Sequence, residues 1–215
     1  MKTSILVIGL GRFGTAAARE LERLGHEVLA VDRDEAAVND IAPDVTHATQ
    51  LDASDEAALR SIGAGDFETA IVAISSASEA SIFATMALKN LGVRHVIAKA
   101  ANTLHGSILE RVGADRVVYP EREMGTRVAH SLAIPGVVDY LDVAPRFGIV
   151  KVRPPAAFVG QTLTELNLPA RLRLSPIALR RGTDVTVNPH GGVVIAAGDE
   201  LILIGLDEQM ERLGR

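Results

Sequence analysis

A glycine-rich stretch near the start of the chain has the composition and spacing of a phosphate-binding loop. Gly9, Gly11 and Gly14 form a GxGxxG pattern that directly follows the apolar run 5–8 and opens an amphipathic stretch. The first glycine allows a tight turn, the second lets a pyrophosphate approach the backbone, and the third lets helix and strand pack closely. The pattern therefore predicts a helix N-terminus that faces the phosphates of a nucleotide.

Two charged residues indicate which nucleotide the loop binds. Asp32 ends the next apolar run, where a carboxylate accepts hydrogen bonds from both ribose hydroxyls and repels a 2′-phosphate. Arg12 lies inside the loop, where its positive fork can reach a β- or γ-phosphate, which favours ATP over NAD. The alternative for Arg12 is an exposed arginine in the first helical turn.

Two further predicted strands end in residues that can reach the same ligand. Asp52 and Ala53 follow the third strand, and Ile74 and Ser75 end the fourth. Sites in such folds lie at the carboxyl ends of the strands, so we expect these residues to border the nucleotide. The alternatives are an ordinary helix cap involving Ser54 and a simple turn after the fourth strand.

The composition excludes several other kinds of site. The 215-residue chain has no cysteine, which excludes disulfides, thiolate metal sites and a cysteine nucleophile. Its six histidines form no HxxxH or HExxH pair, and a net charge of −5 argues against nucleic-acid binding. No apolar run approaches the roughly 18 residues that cross a bilayer, so we expect a cytoplasmic protein.

No general base, nucleophile or set of metal ligands with diagnostic spacing accompanies the loop, so we predict sensing and no enzymatic turnover. An NAD-dependent oxidoreductase is the alternative function. A free-standing nucleotide or redox sensor with a soluble partner shares every local feature and stays open as well.

The elements that must position these residues alternate between strand and helix over the first part of the chain. Apolar runs predict strands at 5–8, 28–31, 45–48, 70–74, 95–98 and 116–118. Amphipathic stretches predict helices at 12–24, 34–41, 54–62, 78–91 and 103–112. The alternation predicts an α/β fold with a Rossmann-like, doubly wound parallel sheet.

The pattern changes after Pro120. A helix is predicted at 121–133, and short apolar runs predict strands at 137–143, 149–152, 176–179, 185–187, 193–196 and 201–204. We expect three parts: a nucleotide-binding domain at 1–120, a crossover helix and linker at 121–144, and a small β-rich α+β subdomain at 145–215.

Taken together, these motifs resemble the regulatory subunits of the Ktr/Trk potassium-uptake family, which consist of an RCK nucleotide-binding domain and a C-terminal RCK subdomain. The resemblance runs from end to end. It is carried by GLGRFG at 9–14, Asp32, IVAI at 71–74, AKA at 98–100, His105, GADRVV at 113–118, PE at 120–121, MG at 124–125 and GDELIL at 198–203.

The resemblance implies a cytosolic regulatory subunit that gates a membrane potassium channel or transporter from the inner face of the membrane. Such a subunit dimerises through the crossover helix and assembles as a ring of dimers, tetrameric or octameric. ATP favours the active state and ADP the inactive one, and some members bind NAD(H).

The resemblance also implies roles for individual residues. Arg12 would hold terminal phosphates, Asp32 the ribose, Asp52 the adenine amino group and Lys99 a phosphate. Glu121 would help to hold a divalent or monovalent cation at the phosphates. The full set assigned to nucleotide binding is Gly9, Gly11, Arg12, Phe13, Gly14, Asp32, Arg33, Asp52, Ala53, Ile74, Ser75, Lys99 and Glu121.

Some members of the family bind a cyclic dinucleotide, cyclic di-AMP, between two C-terminal subdomains. The matching positions in this chain are Ile177, Arg180, Asn188 and Pro189. The sequence departs from the family pattern around 180–182, so this second site stays open.

Overall fold

The structure, a computed structural model, describes residues 3–74 and 77–214. It divides into two compact units, Met1–Pro120 and Glu121–Arg215. Within the described ranges, none of the helices combines the length and the apolar character that a membrane span needs.

The first unit, over its described residues, is built on a parallel six-stranded sheet with the order β3-β2-β1-β4-β5-β6. Its strands are β1 (Ser4–Ile8), β2 (Glu27–Asp32), β3 (His47–Gln50), β4 (Thr69–Val72), β5 (His95–Lys99) and β6 (Arg116–Val118). Its helices are α1 (Arg12–Arg23), α2 (Glu35–Ile41), α3 (Glu56–Ser61), α4 (Ser78–Asn90) and α5 (Thr103–Arg111). The predicted Rossmann-like fold is confirmed.

The apolar run of β1 explains why helices cover both faces of this sheet. Successive side chains of a strand point to opposite faces. Leu6 and Ile8 accordingly belong to one buried cluster, and Ile5 and Val7 to another. Because β1 lies between β2 and β4, the strand order reverses beside it, and a crevice opens at the carboxyl ends of the strands.

The second unit begins within helix α6 (Pro120–Ala133) and contains, among its described residues, an antiparallel five-stranded sheet with the order β10-β9-β11-β8-β7. The strands are β7 (Val137–Ala144), β8 (Phe147–Val152), β9 (Ser175–Arg181), β10 (Asp184–Val187) and β11 (Glu200–Leu206). The short helices are α7 (Leu163–Leu166), α8 (Leu168–Leu172) and α9 (Asp207–Met210). This agrees with the predicted β-rich α+β subdomain.

Tyr140 joins three elements of the second unit. Its hydroxyl donates a hydrogen bond of 2.9 Å to Asp207 Oδ1 at the start of α9. Its ring stacks on His130 of α6 with 4.1 Å between the ring centroids. Burial, followed by the hydrogen bond to the Asp207 carboxylate, raises the pKa of Tyr140 above its ordinary value, so the phenol stays protonated.

One predicted strand, at 193–196, is wrong. Within it, Val194 makes only an isolated bridge with Thr162. The neighbouring backbone groups bond to a loop: Ile195 N–H donates to Gln161 O at 2.9 Å, and Ile195 O accepts from Gly160 N–H at 2.9 Å. This segment is apolar because Ile195 is buried in the core, where its side chain is 1% exposed. It is not part of the sheet.

Some predicted boundaries shift by a few residues. The strand predicted at 70–74 ends at Val72, so Ala73 and Ile74 form the loop that follows it. The helix predicted at 54–62 begins at Glu56, because Asp55 caps it by accepting a hydrogen bond from Ala57 N–H.

Candidate functional site

A cleft of about 150 Å³ lies at the carboxyl ends of β1 to β4 in the first unit. It occupies the crevice where the strand order reverses, which is where folds of this type bind their ligands. Its lining residues are Ile8, Gly9, Gly11, Asp32, Arg33, Leu51, Asp52, Ala53, Ser54, Ala73, Ile74 and Ala80.

The fold requires a glycine at two of the three loop positions, Gly9 and Gly14, and for different reasons. Gly9 has a φ of +92°, and a Cβ there would lie 2.9 Å from Ile74 N. A Cβ at Gly14 would lie 1.8 Å from Gly9 O, so α1 packs directly on the loop. A Cβ at Gly11 would meet nothing within 4 Å. Gly11 therefore faces open space on the side of the cleft.

The start of α1 is suited to an anion. Gly11 is the N-cap residue and has no side chain to accept a hydrogen bond from the first N–H groups of the helix. The first turn carries no acidic residue. The partial positive charge of the helix N-terminus is thus directed at the cleft without a counter-charge in the first turn of the helix itself.

Asp32 is fixed by the backbone around it. Its Oδ2 accepts from Leu10 N–H at 2.5 Å, and its Oδ1 accepts from Asp34 N–H at 2.9 Å. The first contact ties the carboxylate to the glycine loop across the cleft. A carboxylate has about four acceptor positions, so capacity remains for the two hydroxyls of a ribose.

Asp52 lines the cleft as an ionised carboxylate. Its Oδ1 accepts from the Ser54 hydroxyl at 2.6 Å and from Ser54 N–H at 2.9 Å. These hydrogen bonds, with a smaller contribution from the charge of Arg33, lower the pKa of Asp52. Ser54 thus orients Asp52 and does not cap α3. Arg33 also lines the cleft, and its carbonyl accepts from Gln50 Nε2 at 2.9 Å.

Arg12, Phe13, Gly14 and Lys99 lie outside the cleft lining. Arg12 is exposed as the first residue of α1. Lys99 ends β5 with only 6% of its surface exposed, and its Nζ lies 5.9 Å from the centroid of the Phe13 ring. The structure thus brings Lys99 to the first turn of α1, beside the loop.

The described part of the first unit does not contain the two other predicted residues. Ser75 lies outside the described residues. Glu121 is an exposed residue of α6 and belongs to the second unit. Within 3–74 and 77–214, no three or more histidine, aspartate or glutamate side chains are grouped so as to hold a metal ion.

The four positions of the second predicted site lie along the β9–β10 hairpin. Asn188 N–H donates to Ile177 O at 2.9 Å, which holds these two residues together. Arg180 is bound instead to Glu200, with 2.7 Å from Nε to Oε2. The charge of Arg180 is thus neutralised within the sheet, and Pro189 follows Asn188 at the end of the hairpin.

Sequence reasoning predicted two apolar residues of the lining, Ala53 and Ile74, and missed the other four. Ile8, Leu51, Ala73 and Ala80 border the cleft, yet nothing in their residue types distinguishes them from core residues. Only their positions could have indicated that they line the cleft. Ile8, Leu51 and Ala73 lie at or just beyond strand ends that meet at the same edge of the sheet.

Residues 5–120 match the model of the TrkA-N domain, and residues 148–215 match that of the TrkA-C domain. The chain belongs to the TrkA-N/TrkA-C family. It is 40% identical to Ktr system potassium uptake protein C of Bacillus subtilis, over 95% of this chain and 93% of that one. It is 30% identical to Ktr system potassium uptake protein A of Vibrio alginolyticus, over 95% of this chain and 93% of the relative. The resemblance to the Ktr/Trk family is confirmed.

Solved structures of the same fold include chains of the GsuK channel. The GsuK channel matches with a TM-score of 0.71 and 19% identity, over 98% of this chain and 38% of that chain. The GsuK RCK domain matches with a TM-score of 0.51 and 27% identity, over 99% of this chain and 46% of that one. This family member thus spans less than half of the GsuK chains that it resembles.

Proposed function

We propose that the chain is a cytosolic regulatory subunit of a potassium uptake system that senses an adenine nucleotide in the cleft of its first unit. The observation that carries the proposal is the open, uncapped start of α1 at Gly11 beside the anchored carboxylate of Asp32. The Bacillus subtilis and Vibrio alginolyticus relatives named as Ktr potassium uptake proteins support the cellular role.

Each part of the nucleotide has a counterpart among the residues in or beside the cleft. The N–H groups at the start of α1 receive the phosphates, and Arg12 and Lys99 supply positive charge to the terminal ones. Asp32 accepts from the ribose hydroxyls, and its charge disfavours a 2′-phosphate. Asp52 accepts from the adenine amino group. ATP and ADP then favour different conformations because they differ by one charged phosphate.

The assembly is also part of the proposal. Met124, Val128 and Leu132 recur every fourth residue along α6 and are 53%, 49% and 82% exposed. Such an apolar stripe supports dimerisation through this helix, and we propose that the dimers form a ring of four or eight subunits. The ring would act on a membrane potassium channel or transporter from its cytoplasmic side.

Three finer points of the function are proposals of the same kind. Glu121 would contribute to a cation site at the phosphates of ATP. NAD(H) would be an alternative ligand of the cleft, and cyclic di-AMP a ligand of the β9–β10 hairpin.

The domain division at 1–120, 121–144 and 145–215 also remains a prediction. Strand β7 of the middle segment pairs with β8 of the last segment.

The nucleotide site is tested by Gly11→Asp. Aspartate is a favoured N-cap residue, and the space around Gly11 is open, so the variant should fold normally. Its carboxylate would stand where the phosphates bind. We expect ATP and ADP affinity in calorimetric titration to fall by about tenfold or more, because like charges about 4 Å apart repel by several kcal/mol.

The matched control is Gly11→Asn, which has the same shape and capping ability without the charge. It should weaken the nucleotides less than Gly11→Asp does. Unchanged ATP and ADP binding by a folded Gly11→Asp would place the phosphates elsewhere. NADH binding by the wild type without ATP or ADP binding would instead favour an oxidoreductase or redox sensor.

A further inference from the structure

A buried polar cluster of the first unit lies behind the cleft. It consists of Ser81 and Thr85 of α4 and His105 of α5, which are 0%, 0% and 4% exposed. Ser81 Oγ and His105 Nε2 are 2.8 Å apart, and Thr85 Oγ1 donates to Ser81 O at 2.8 Å. Buried polar groups in such a cluster are stable only when each is hydrogen-bonded.

The hydrogen bonds around His105 define its protonation state. Ala101 N–H donates to His105 Nδ1 at 3.2 Å, so Nδ1 carries no proton. Nε2 must then carry the single proton of a neutral imidazole and donate it to Ser81 Oγ. The Ser81 hydroxyl in turn donates to Ser78 O at 3.1 Å. A second proton, on Nδ1, would face the Ala101 N–H and break this arrangement.

The cluster is connected directly to the cleft. Ser81 follows Ala80, which lines the cleft, in the first turn of α4. The N-cap of that helix is Ala77, whose methyl side chain cannot accept a hydrogen bond. The Ser81–His105 contact therefore supplies side-chain anchoring that the start of α4 lacks at its cap.

We propose that His105 is a positioning residue which holds the first turn of α4 in the nucleotide-binding geometry only while its imidazole is neutral. Acidification then weakens nucleotide binding, so the subunit reads pH together with the nucleotide. The inference rests on the proposed function, since it requires a nucleotide in the cleft. Protonation and nucleotide binding are linked reciprocally: each disfavours the other.

The charged groups around His105 do not oppose this behaviour. Those near the same edge of the sheet are Glu79 of α4, which is exposed, Lys99 of β5, whose Nζ lies over the Phe13 ring, and Tyr119, whose hydroxyl packs against Gly106. The remaining ones on the packed elements lie towards the opposite edge: Lys89, His95, Glu110, Arg111 and Arg116.

The surroundings of His105 also determine in which direction its pKa is shifted. Burial lowers the pKa of His105 below its ordinary 6.5, and a backbone contact with Ser78 acts weakly against this. The ring is thus neutral at pH 7 and becomes charged only in more acidic solution.

The experiment is an ADP titration of the full chain at about pH 7.5 and about pH 5.5, for the wild type, Ser81→Ala and His105→Gln. Comparing each variant with the wild type at the same pH cancels the protonation of ADP itself. When the pH falls from the higher to the lower value, the ADP affinity of the wild type should decrease about fivefold more than that of either variant. Ser81→Ala keeps the titrating ring but removes its side-chain hydrogen bond to α4, so a loss of pH dependence there is not a mere packing effect.

The matched control is His95→Gln, which removes an exposed histidine at the other edge of the sheet and should behave as the wild type does. If His105→Gln does not fold, Ser81→Ala decides alone. The same pH dependence in the wild type and the folded variants overturns the inference while leaving the proposed function intact. An absence of ADP binding by the wild type at about pH 7.5 overturns the proposed function, and the inference with it.

Discussion

At the scale of single residues, the glycine loop contains two positions where the fold requires a glycine and one where it does not. Gly9 needs its positive φ, and Gly14 needs the absence of a side chain, because α1 touches the loop there. Gly11 has an ordinary φ of −71° and open space around it. Folding alone thus gives no reason for a glycine at position 11, whereas close approach of a phosphate does.

Substitution at Gly14 should therefore affect stability. In Gly14→Ala, the new methyl group would lie 1.8 Å from Gly9 O and 3.0 Å from Ala73 Cβ. The loop and α1 must move apart, which we expect to cost at least about 3 kcal/mol in the free energy of unfolding. Urea denaturation measures the loss.

Gly11→Ser is the control for this change, since serine is a good N-cap residue and meets no neighbour. It should unfold within about 0.5 kcal/mol of the wild type. If Gly14→Ala were as stable as Gly11→Ser, the packing of α1 on the loop would be looser than described.

The polar half of the candidate site was predictable because its residue types are specific to phosphate and ribose recognition. Gly9, Gly11, Asp32 and Asp52 line the cleft as expected. The apolar half was predictable only in part: Ala53 and Ile74 were expected, whereas Ile8, Leu51, Ala73 and Ala80 have the same residue types as core positions. The anchoring of Asp52 by Ser54 was also missed, because Ser54 looked like a helix cap.

At the scale of elements, the turn that precedes β11 is tied to β9 by an ion pair between a buried aspartate and a partly exposed arginine. Asp199 is 1% exposed and accepts from Nε and Nη2 of Arg181, both at 2.8 Å. It also accepts from Ala196 N–H at 2.8 Å. The hydrogen bond from Arg181, opposed in part by burial, lowers the pKa of Asp199. The carboxylate thus fixes both the turn and the end of its neighbouring strand.

Asp199→Asn should destabilise the second unit by about 2 kcal/mol, because charge-assisted hydrogen bonds are lost and an amide N–H₂ faces the guanidinium. The folded pKa lies below the unfolded 3.8, so the contribution is complete above that pH and disappears as pH falls through the folded value. Urea denaturation at neutral and acidic pH measures both effects.

The control for the ion pair is Glu20→Gln, which breaks the exposed Glu20–Arg23 pair on α1. Such a surface pair contributes little, so its loss should change unfolding by no more than about 0.5 kcal/mol. Equal effects of the two substitutions would contradict a structural role for Asp199.

The elements of the first unit were predictable because its buried strands are continuous apolar runs between turn signals. In the second unit the same reasoning failed at 193–196, where a loop is apolar because it covers the core. Helix α7 was missed although its signal is readable: Thr162 and Glu165 form a capping box, each side chain bonding the backbone N–H of the other.

At the scale of the whole molecule, the two units have separate buried cores. The clusters around Leu6 and Val7 draw their members from the first unit, and the cluster around Leu201 from the second. The complete lining of the cleft comes from the first unit. Each unit therefore contains what a domain needs to fold on its own.

Residues 1–120 expressed alone should form a cooperatively folding domain that binds ADP with an affinity within about threefold of the full chain. Circular dichroism during thermal unfolding and calorimetric titration check the two parts of this expectation. A fragment that stays unfolded would show that the first unit depends on the second. A folded fragment without ADP binding would show that the second unit contributes to the site.

The distribution of aromatic residues gives this architecture an optical consequence. The chain has no tryptophan and two tyrosines, of which Tyr119 lies in the first unit and Tyr140 in the second. Tyr140 is held against a histidine ring and a carboxylate, while Tyr119 packs on the backbone of α5 at Gly106. Tyrosine absorption and emission therefore come from one residue per unit in different surroundings. Replacing either tyrosine with phenylalanine leaves a chain whose intrinsic signal reports on a single unit, without any attached dye.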